Sequence, residues 1–146
     1  MLVFPPLLYL SALVVGVTLH LLVPIALPLP VAVRWIAGAV GLAGAVFMGT
    51  ARSTFVRAGT NVNPMQPAIS LVEAGPFRRS RNPMYVGMAT AFTGLALATR
   101  MGWLLLLMVP VLAVMHRGVI LREERYLGAK FGAAYEGYRR RVRRYL

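Results

Sequence analysis

The chain contains no cysteine and no aspartate, and its only acids are four glutamates among 146 residues. Lack of cysteine removes a disulfide framework, a thiolate nucleophile and a thiolate metal site. Lack of aspartate means that no Ser–His–Asp triad can be built. With only two histidines, a metal site of three or four protein ligands is disfavoured as well, and no metal is expected. Charge of any kind is scarce, at 14% of residues against about a quarter in soluble domains. No low-complexity stretch is present, which excludes the collagen-like and disordered classes.

What the chain has in excess is apolar surface: 58% of residues are hydrophobic and the mean hydropathy is +0.67. Its charges are lopsided, with 16 Lys+Arg giving a formal +12. Such a balance ordinarily raises nucleic acid as a partner. Here the basic residues stand between and after long greasy segments, so no nucleic acid is expected. Length and composition point to one small membrane domain, residues 1–146.

A bilayer core of about 30 Å takes roughly 20 helical residues. The first apolar segment runs from about Leu2 to Val23, with Pro5 and Pro6 in its first turn, where proline is tolerated. A second runs from about Val31 to Met48, after an uncharged Pro24–Pro30 loop. The third, shorter, covers about Met84 to Thr99, and Arg100-Met101-Gly102 turns into a fourth from about Trp103 to Ile120. The expected fold is all-α and integral to the membrane. Four transmembrane helices (about 2–23, 31–48, 84–99 and 103–120) carry a cytoplasmic loop and a C-terminal amphipathic helix. A cleaved signal peptide fits poorly, because no Lys or Arg precedes the first run and further runs follow.

With the N-terminus in the cytoplasm, only Arg34 and Arg100 fall outside and the other fourteen basic residues fall inside. That asymmetry predicts a multi-pass protein with both termini cytoplasmic. Trp35 and Trp103 are expected as interface anchors. Gly38, Gly41 and Gly44, with Gly87/Ala91 and Gly94/Ala98, predict helices whose backbones approach closely.

Glu73, Glu123, Glu124 and Glu136 all lie in the cytoplasmic segments, and with His20 and His116 they make the whole inventory of general bases. His20 sits near the outer end of the first span, where a structural role is expected; His116 sits near the inner end of the fourth. Residues Leu121 to Tyr138 read as an amphipathic helix, with Glu123, Leu127, Phe131, Ala134 and Tyr138 on one stripe. Five arginines between Arg139 and Arg144 suit anionic lipid headgroups, at about 1 kcal/mol each near the surface. Glu136 and Arg140 have ordinary i,i+4 spacing. Glu123–Glu124 is tolerable beside cations, and Arg117, Arg122 and Arg125 could serve. Such a pair is either a structural ion cluster or a ligand site.

The loop Leu71–Tyr85 holds a Gly75-Pro76 turn, an arginine cluster and an Asn82-Pro83 break just before the third span. A helix opened by proline leaves first-turn N–H groups free for an anionic ligand. Otherwise the segment is a plain loop–helix junction with a positive-inside cluster.

Together these segments resemble the isoprenylcysteine carboxyl methyltransferase and phospholipid methyltransferase superfamily. The turn Gly75-Pro76-Phe77, the helix opening Arg81-Asn82-Pro83-Met84-Tyr85 and the block Glu123-Glu124-Arg125-Tyr126-Leu127, Phe131-Gly132, Tyr135, Tyr138 follow that family's order and spacing over residues 69–146. The resemblance implies S-adenosylmethionine as cofactor, bound at the cytoplasmic end of the last two spans. It also implies a lipid-like or small hydrophobic acceptor. The cofactor contacts it carries over are Ile69, Ser70, Leu71, Val72, Phe77, Asn82, Pro83, Met84, Tyr85 and Glu123. Residues 69–146 would form the cofactor-binding core, beside an N-terminal helix pair in 1–48.

Candidate catalytic groups are Glu124, Arg117 and His116. Glu124 or His116 would be the base for an amine acceptor. Arg117 or Arg122 would stand in for the family's arginine upstream of the acids, where this chain has Val119. Asn82 replaces the family's usual histidine and cannot act as a base, and Phe77 replaces a tyrosine. Two other readings compete: an NAD(P)H-dependent membrane reductase, since sterol reductases share an Arg-x-Pro-x-Tyr…Glu-Glu core, and a non-enzymatic helical membrane protein.

Overall fold

Proline and glycine set the helix boundaries. Helix α1 spans Pro5–Leu22 and opens on two prolines; α2 spans Val31–Arg57 directly after Pro30. Helix α3 covers Pro83–Thr99, again with proline at its start, and α4 covers Gly102–Val114. A π-helical stretch, Met115–Ile120, leads without a break into α5, Leu121–Phe131, and α6 covers Ala133–Arg141. The computed structural model describes residues 4–63 and 66–146, so the expected start at Leu2 lies outside the described residues. Among those residues no strand occurs, only an isolated bridge between Ala26 and Met101.

Three helices are long and apolar enough to cross a membrane: Pro5–Leu22, Val31–Arg57 and the continuous Gly102–Phe131. Helix α3 is apolar but shorter, at 17 residues. Two boundaries differ from expectation. Helix α2 continues past Met48 to Arg57. Hydropathy marks where a helix leaves the bilayer rather than where it ends, and Thr50, Arg52 and Ser53 are compatible with helix. The expected single helix from Leu121 to Tyr138 is instead two, broken at Gly132 (φ 51°, ψ −124°). That conformation costs little only for glycine.

Helices α2 and α3 pack most closely. A Cβ on Gly94 would lie 2.4 Å from the Gly41 Cα, and one on Gly87 would lie 2.6 Å from the Gly44 carbonyl oxygen. The two backbones therefore touch through the expected small residues. Helix α1 lies on α4, with Gly16 against Leu104. Tyr9, Phe92, Leu104, Met108, Val111, Met115 and Val119 form the buried centre of the bundle.

At the end away from the loop, Arg34 Nε donates to the Ala98 carbonyl at 3.0 Å and Arg100 Nε to that of Leu27 at 2.7 Å. Trp103 Nε1 donates to the Val23 carbonyl at 2.7 Å, while Trp35 is exposed. These side chains satisfy carbonyls that a short loop leaves open.

Gly94→Leu is expected to force α2 from α3 and cost about 1–3 kcal/mol or more of stability, read by thermal unfolding in detergent. Gly49→Ala, where an added Cβ meets nothing within 4 Å, is expected to cause no loss.

Candidate functional site

A cavity of about 310 Å³ opens where the loop, the start of α3 and the start of α5 meet. The local sequence explains its shape. Asn82 precedes Pro83, and no side chain caps α3, so first-turn backbone donors are left at the cavity. The opposite wall is the start of α5, which the π-helical turn Met115–Ile120, after Pro110, precedes. Each such turn takes an extra residue, and one residue rotates the following face by about 100°. Past it, Glu123 accepts a hydrogen bond from the Tyr85 hydroxyl at 2.9 Å.

The two adjacent acids have different surroundings. Glu124 accepts two hydrogen bonds from Arg144, Nε and Nη2 at 2.9 Å each, and also pairs with Arg81 Nη2 at 3.2 Å. Glu123 forms no ion pair among the described residues; its partner is the neutral Tyr85. The cations beside the twin acids are therefore Arg81 and Arg144, not the expected Arg117, Arg122 or Arg125. The latter three project from the helix that carries the acids, whereas Arg81 and Arg144 come from segments folded against it. Arg81 is buried, with 8% of its side chain exposed; the Tyr135 phenol is hydrogen-bonded with its guanidinium, and Nε and Nη1 are shut off from water.

The tail closes one side. The Arg143 carbonyl accepts from the Arg81 backbone N–H at 2.9 Å, and the Arg144 carbonyl accepts from Asn82 Nδ2 at 3.0 Å. Tyr138 donates to the Phe77 carbonyl at 2.8 Å. Burial pushes the Tyr138 phenol above its ordinary range, and Glu73 adds to the shift. Burial raises Tyr135 too, with Glu124 adding and Arg81 opposing, and the hydrogen bond to Glu124 raises Arg144 further. Residues 60–63 and 66–72 form the outer rim. Thr60 Oγ1 accepts from the Ile69 N–H at 3.0 Å, and the Tyr126 hydroxyl accepts from that of Ala68 at 3.2 Å.

Of the residues singled out in the sequence, Ser70, Leu71, Val72, Phe77, Asn82, Pro83, Met84, Tyr85, Glu123 and Glu124 line this cavity. Ile69 does not; it is 65% exposed. Arg117 is exposed and does not line this cavity. His116 Nδ1 meets the Tyr145 hydroxyl at 2.5 Å, also outside it. The Phe77 ring is stacked on Phe55 at 4.6 Å, and the Asn82 amide is occupied by the tail. Sequence reasoning missed Phe55 and Arg144, and it placed Arg81 and Tyr135 in the motifs without giving either a role at the site. For Arg81 and Arg144 a signal existed, since two abutting acids require cations from elsewhere in the chain.

A second, larger cleft of about 660 Å³ runs between α1, α2 and α3. Its walls are Pro5, Tyr9, Met48, Met88, Phe92 and Leu95, with Arg52 also at the wall; Val62, Asn63, Met84 and Tyr85 border both cavities.

The model of the phospholipid methyltransferase family matches residues 32–134, more than two thirds of the chain. The chain belongs to that family. Membership implies a membrane methyltransferase acting on a lipid-like substrate. No curated protein and no solved structure matches the chain. In this phospholipid methyltransferase family member the match takes in α2, α3, α4 and α5. It stops before Tyr135 and Tyr138, which the fold brings back to the cavity, and before Arg144, which reaches Glu124.

Arg144→Ala is expected to destabilise the protein by about 1–2 kcal/mol, the range for charged hydrogen bonds reduced for partial exposure. A double-mutant cycle with Glu124→Ala should recover most of that as coupling. Arg140→Ala, which removes no ion pair among the described residues, should leave unfolding unchanged.

Proposed function

We propose that this protein transfers a methyl group from S-adenosylmethionine to a lipid-like acceptor at the cytoplasmic membrane face. The observation that carries this reading is the Glu123 carboxylate, held at a cavity wall by Tyr85 and lacking a cation. The residues present fit a cationic nucleoside donor. Glu123 offers the negative charge, uncapped backbone donors of α3 offer a seat for a carboxylate, and Val72 and Leu127 offer apolar wall. The volume falls within the range of about 300–1,000 Å³ usual for small-molecule pockets.

S-adenosylmethionine, when bound, supplies an electrophilic methyl on a sulfonium for in-line displacement. The chain's own contribution is alignment and exclusion of water. Tyr85 fixes Glu123 through its hydroxyl and forms part of the wall between the two cavities. The acceptor's apolar part would lie in the second cleft, open to the bilayer between α1, α2 and α3, while the polar donor would enter from the cytosol. Glu124 is engaged by two arginines, and His116 and Arg117 line neither cavity. This distribution favours acceptors that need no strong base.

In this reading α3 is a fourth crossing and both termini are cytoplasmic. Helices within 1–48 flank the acceptor cleft, residues 69–146 form the donor-binding core, and Arg140 and Arg143 face anionic headgroups.

Transfer of labelled methyl from S-adenosylmethionine to total membrane lipid extract, with the product identified by mass, is the direct test. S-adenosylhomocysteine is expected to bind the purified protein and NADPH is not. The reverse result would replace this reading with a reductase. Glu123→Ala should lower S-adenosylhomocysteine affinity by roughly tenfold or more, the scale for loss of a charged hydrogen bond. Since the chain has no cysteine, topology can be read by labelling single cysteines: Ala58→Cys should react from the cytoplasmic side and Pro28→Cys from the other.

A further inference from the structure

The cleft between α1, α2 and α3 is mostly apolar and has one charged side chain on its walls, that of Arg52. Arg52 forms no ion pair among the described residues, and the chain has no acid left to give it. Glu73, Glu124 and Glu136 pair with other arginines, and Glu123 accepts from Tyr85.

The position of Arg52 follows from the packing of α2 on α3. A Cβ on Gly87 would lie 2.8 Å from that of Met48, so Arg52, one turn beyond Met48, stands level with the start of α3. Met84 and Tyr85, which border both cavities, lie at that level. From Tyr85, Phe92 and Leu95 are roughly 10 and 15 Å farther along α3 at about 1.5 Å per residue. The cleft is thus an apolar trough with a lone cation at the end that adjoins the donor cavity. Gly49, on the same wall, leaves open space near it, since an added Cβ would meet nothing within 4 Å.

A second polar group in the trough lacks a partner. Tyr9 lines it, is 8% exposed and packs its ring edge-on to Phe92 at 5.6 Å, while its hydroxyl makes no hydrogen bond among the described residues. Hydrocarbon tails alone would satisfy neither this hydroxyl nor the guanidinium.

We propose that the cleft takes an anionic lipid, an apolar chain ending in a carboxylate or a phosphate, and that Arg52 binds its head and selects it against neutral and cationic lipids. This rests on the reading of the cleft as the acceptor's place and names the charge that the acceptor carries. A guanidinium presents a fork of donors matched to either oxyanion. At the edge of a low-dielectric bundle it attracts charge more strongly than in open water. The head is thereby held beside the wall shared with the donor cavity, and the chain runs towards Phe92 and Leu95.

The test is photolabelling of the full chain in phosphatidylcholine nanodiscs with a palmitate analogue carrying a diazirine near its distal end, the labelled peptides being mapped by mass. Label is expected on the parts of α1 and α3 that line the cleft. Palmitate and hexadecyl phosphate should compete at concentrations roughly tenfold below those of methyl palmitate or hexadecylamine, the scale for a charge-assisted hydrogen bond. The better of the two anions identifies the head. Arg52→Gln should cut labelling roughly tenfold and level the four competitors, while Arg52→Lys should keep part of the preference. Arg57→Gln, on the same helix but outside both cavities, should change nothing. Gly49→Leu should block labelling by filling the space near Arg52, without loss of folding. Equal competition by all four lipids in the wild-type protein, label outside the cleft, or an anion preference that survives Arg52→Gln overturns the proposal. S-adenosylhomocysteine binding on the same samples separates the two readings. If it persists without an anion preference, methyl transfer stands with an uncharged or cationic acceptor; an anion preference without it keeps the lipid site and removes the transfer.

Discussion

The neutralisation of Glu124 is the interaction on which the site depends. Two adjacent carboxylates at the edge of an apolar bundle repel each other and are poorly hydrated, so at least one needs counter-charge. Glu124 takes it from two directions, Arg81 in the loop and Arg144 in the tail. The same two segments are joined by main-chain hydrogen bonds, Arg81 N–H to the Arg143 carbonyl among them. The ion cluster therefore fastens loop, long helix and tail at one point. With Glu124 satisfied, Glu123 stands against a neutral hydroxyl.

The scaffold behind this cluster is held by shape more than by polarity. In lipid, apolar side chains gain little by meeting each other, and close backbone approach has to supply the packing energy. Gly41 against Gly94 and Gly44 against Gly87 provide that approach between α2 and α3. Since α3 also carries Pro83, Met84 and Tyr85, the glycine seam sets where the inner wall of the 310 Å³ cavity stands. The long helix is set differently, by Leu104, Met108 and Val111 in the core and by the π-helical turn that re-aims α5 beyond it.

Much of this was legible in the residues. Prolines before apolar runs marked where α1, α2 and α3 begin, and the Asn82–Pro83 break and the twin glutamates lie on one cavity, as the family resemblance implied. Other features had no local signal. Polar residues after Met48 gave no indication that α2 persists to Arg57, because helix propensity and hydropathy are separate properties. Pairing among arginines was the least readable. Arg139, not Arg140, meets Glu136, Arg141 meets Glu73 at 2.6 Å, and Arg144 meets Glu124. A run of like charges states how much cation is present and nothing of which acid each one reaches, since that depends on a chain reversal. Ile69 follows from the family resemblance, His116 from the search for a base and Arg117 from the search for an arginine near the acids, and none of the three lines the cavity.

That reversal happens at Gly132. Were the helix to continue unbroken, twenty residues at about 1.5 Å per residue would carry Arg144 about 30 Å beyond Glu124; instead their side chains touch at 2.9 Å. A single residue able to hold φ at 51° thus closes a ring between the tail and the acid twenty positions upstream. The hinge lies at an exposed site where an added methyl would meet no neighbour. Its requirement for glycine is purely torsional, and a crowding argument at that position would overlook the one residue that lets the chain's last turn come home.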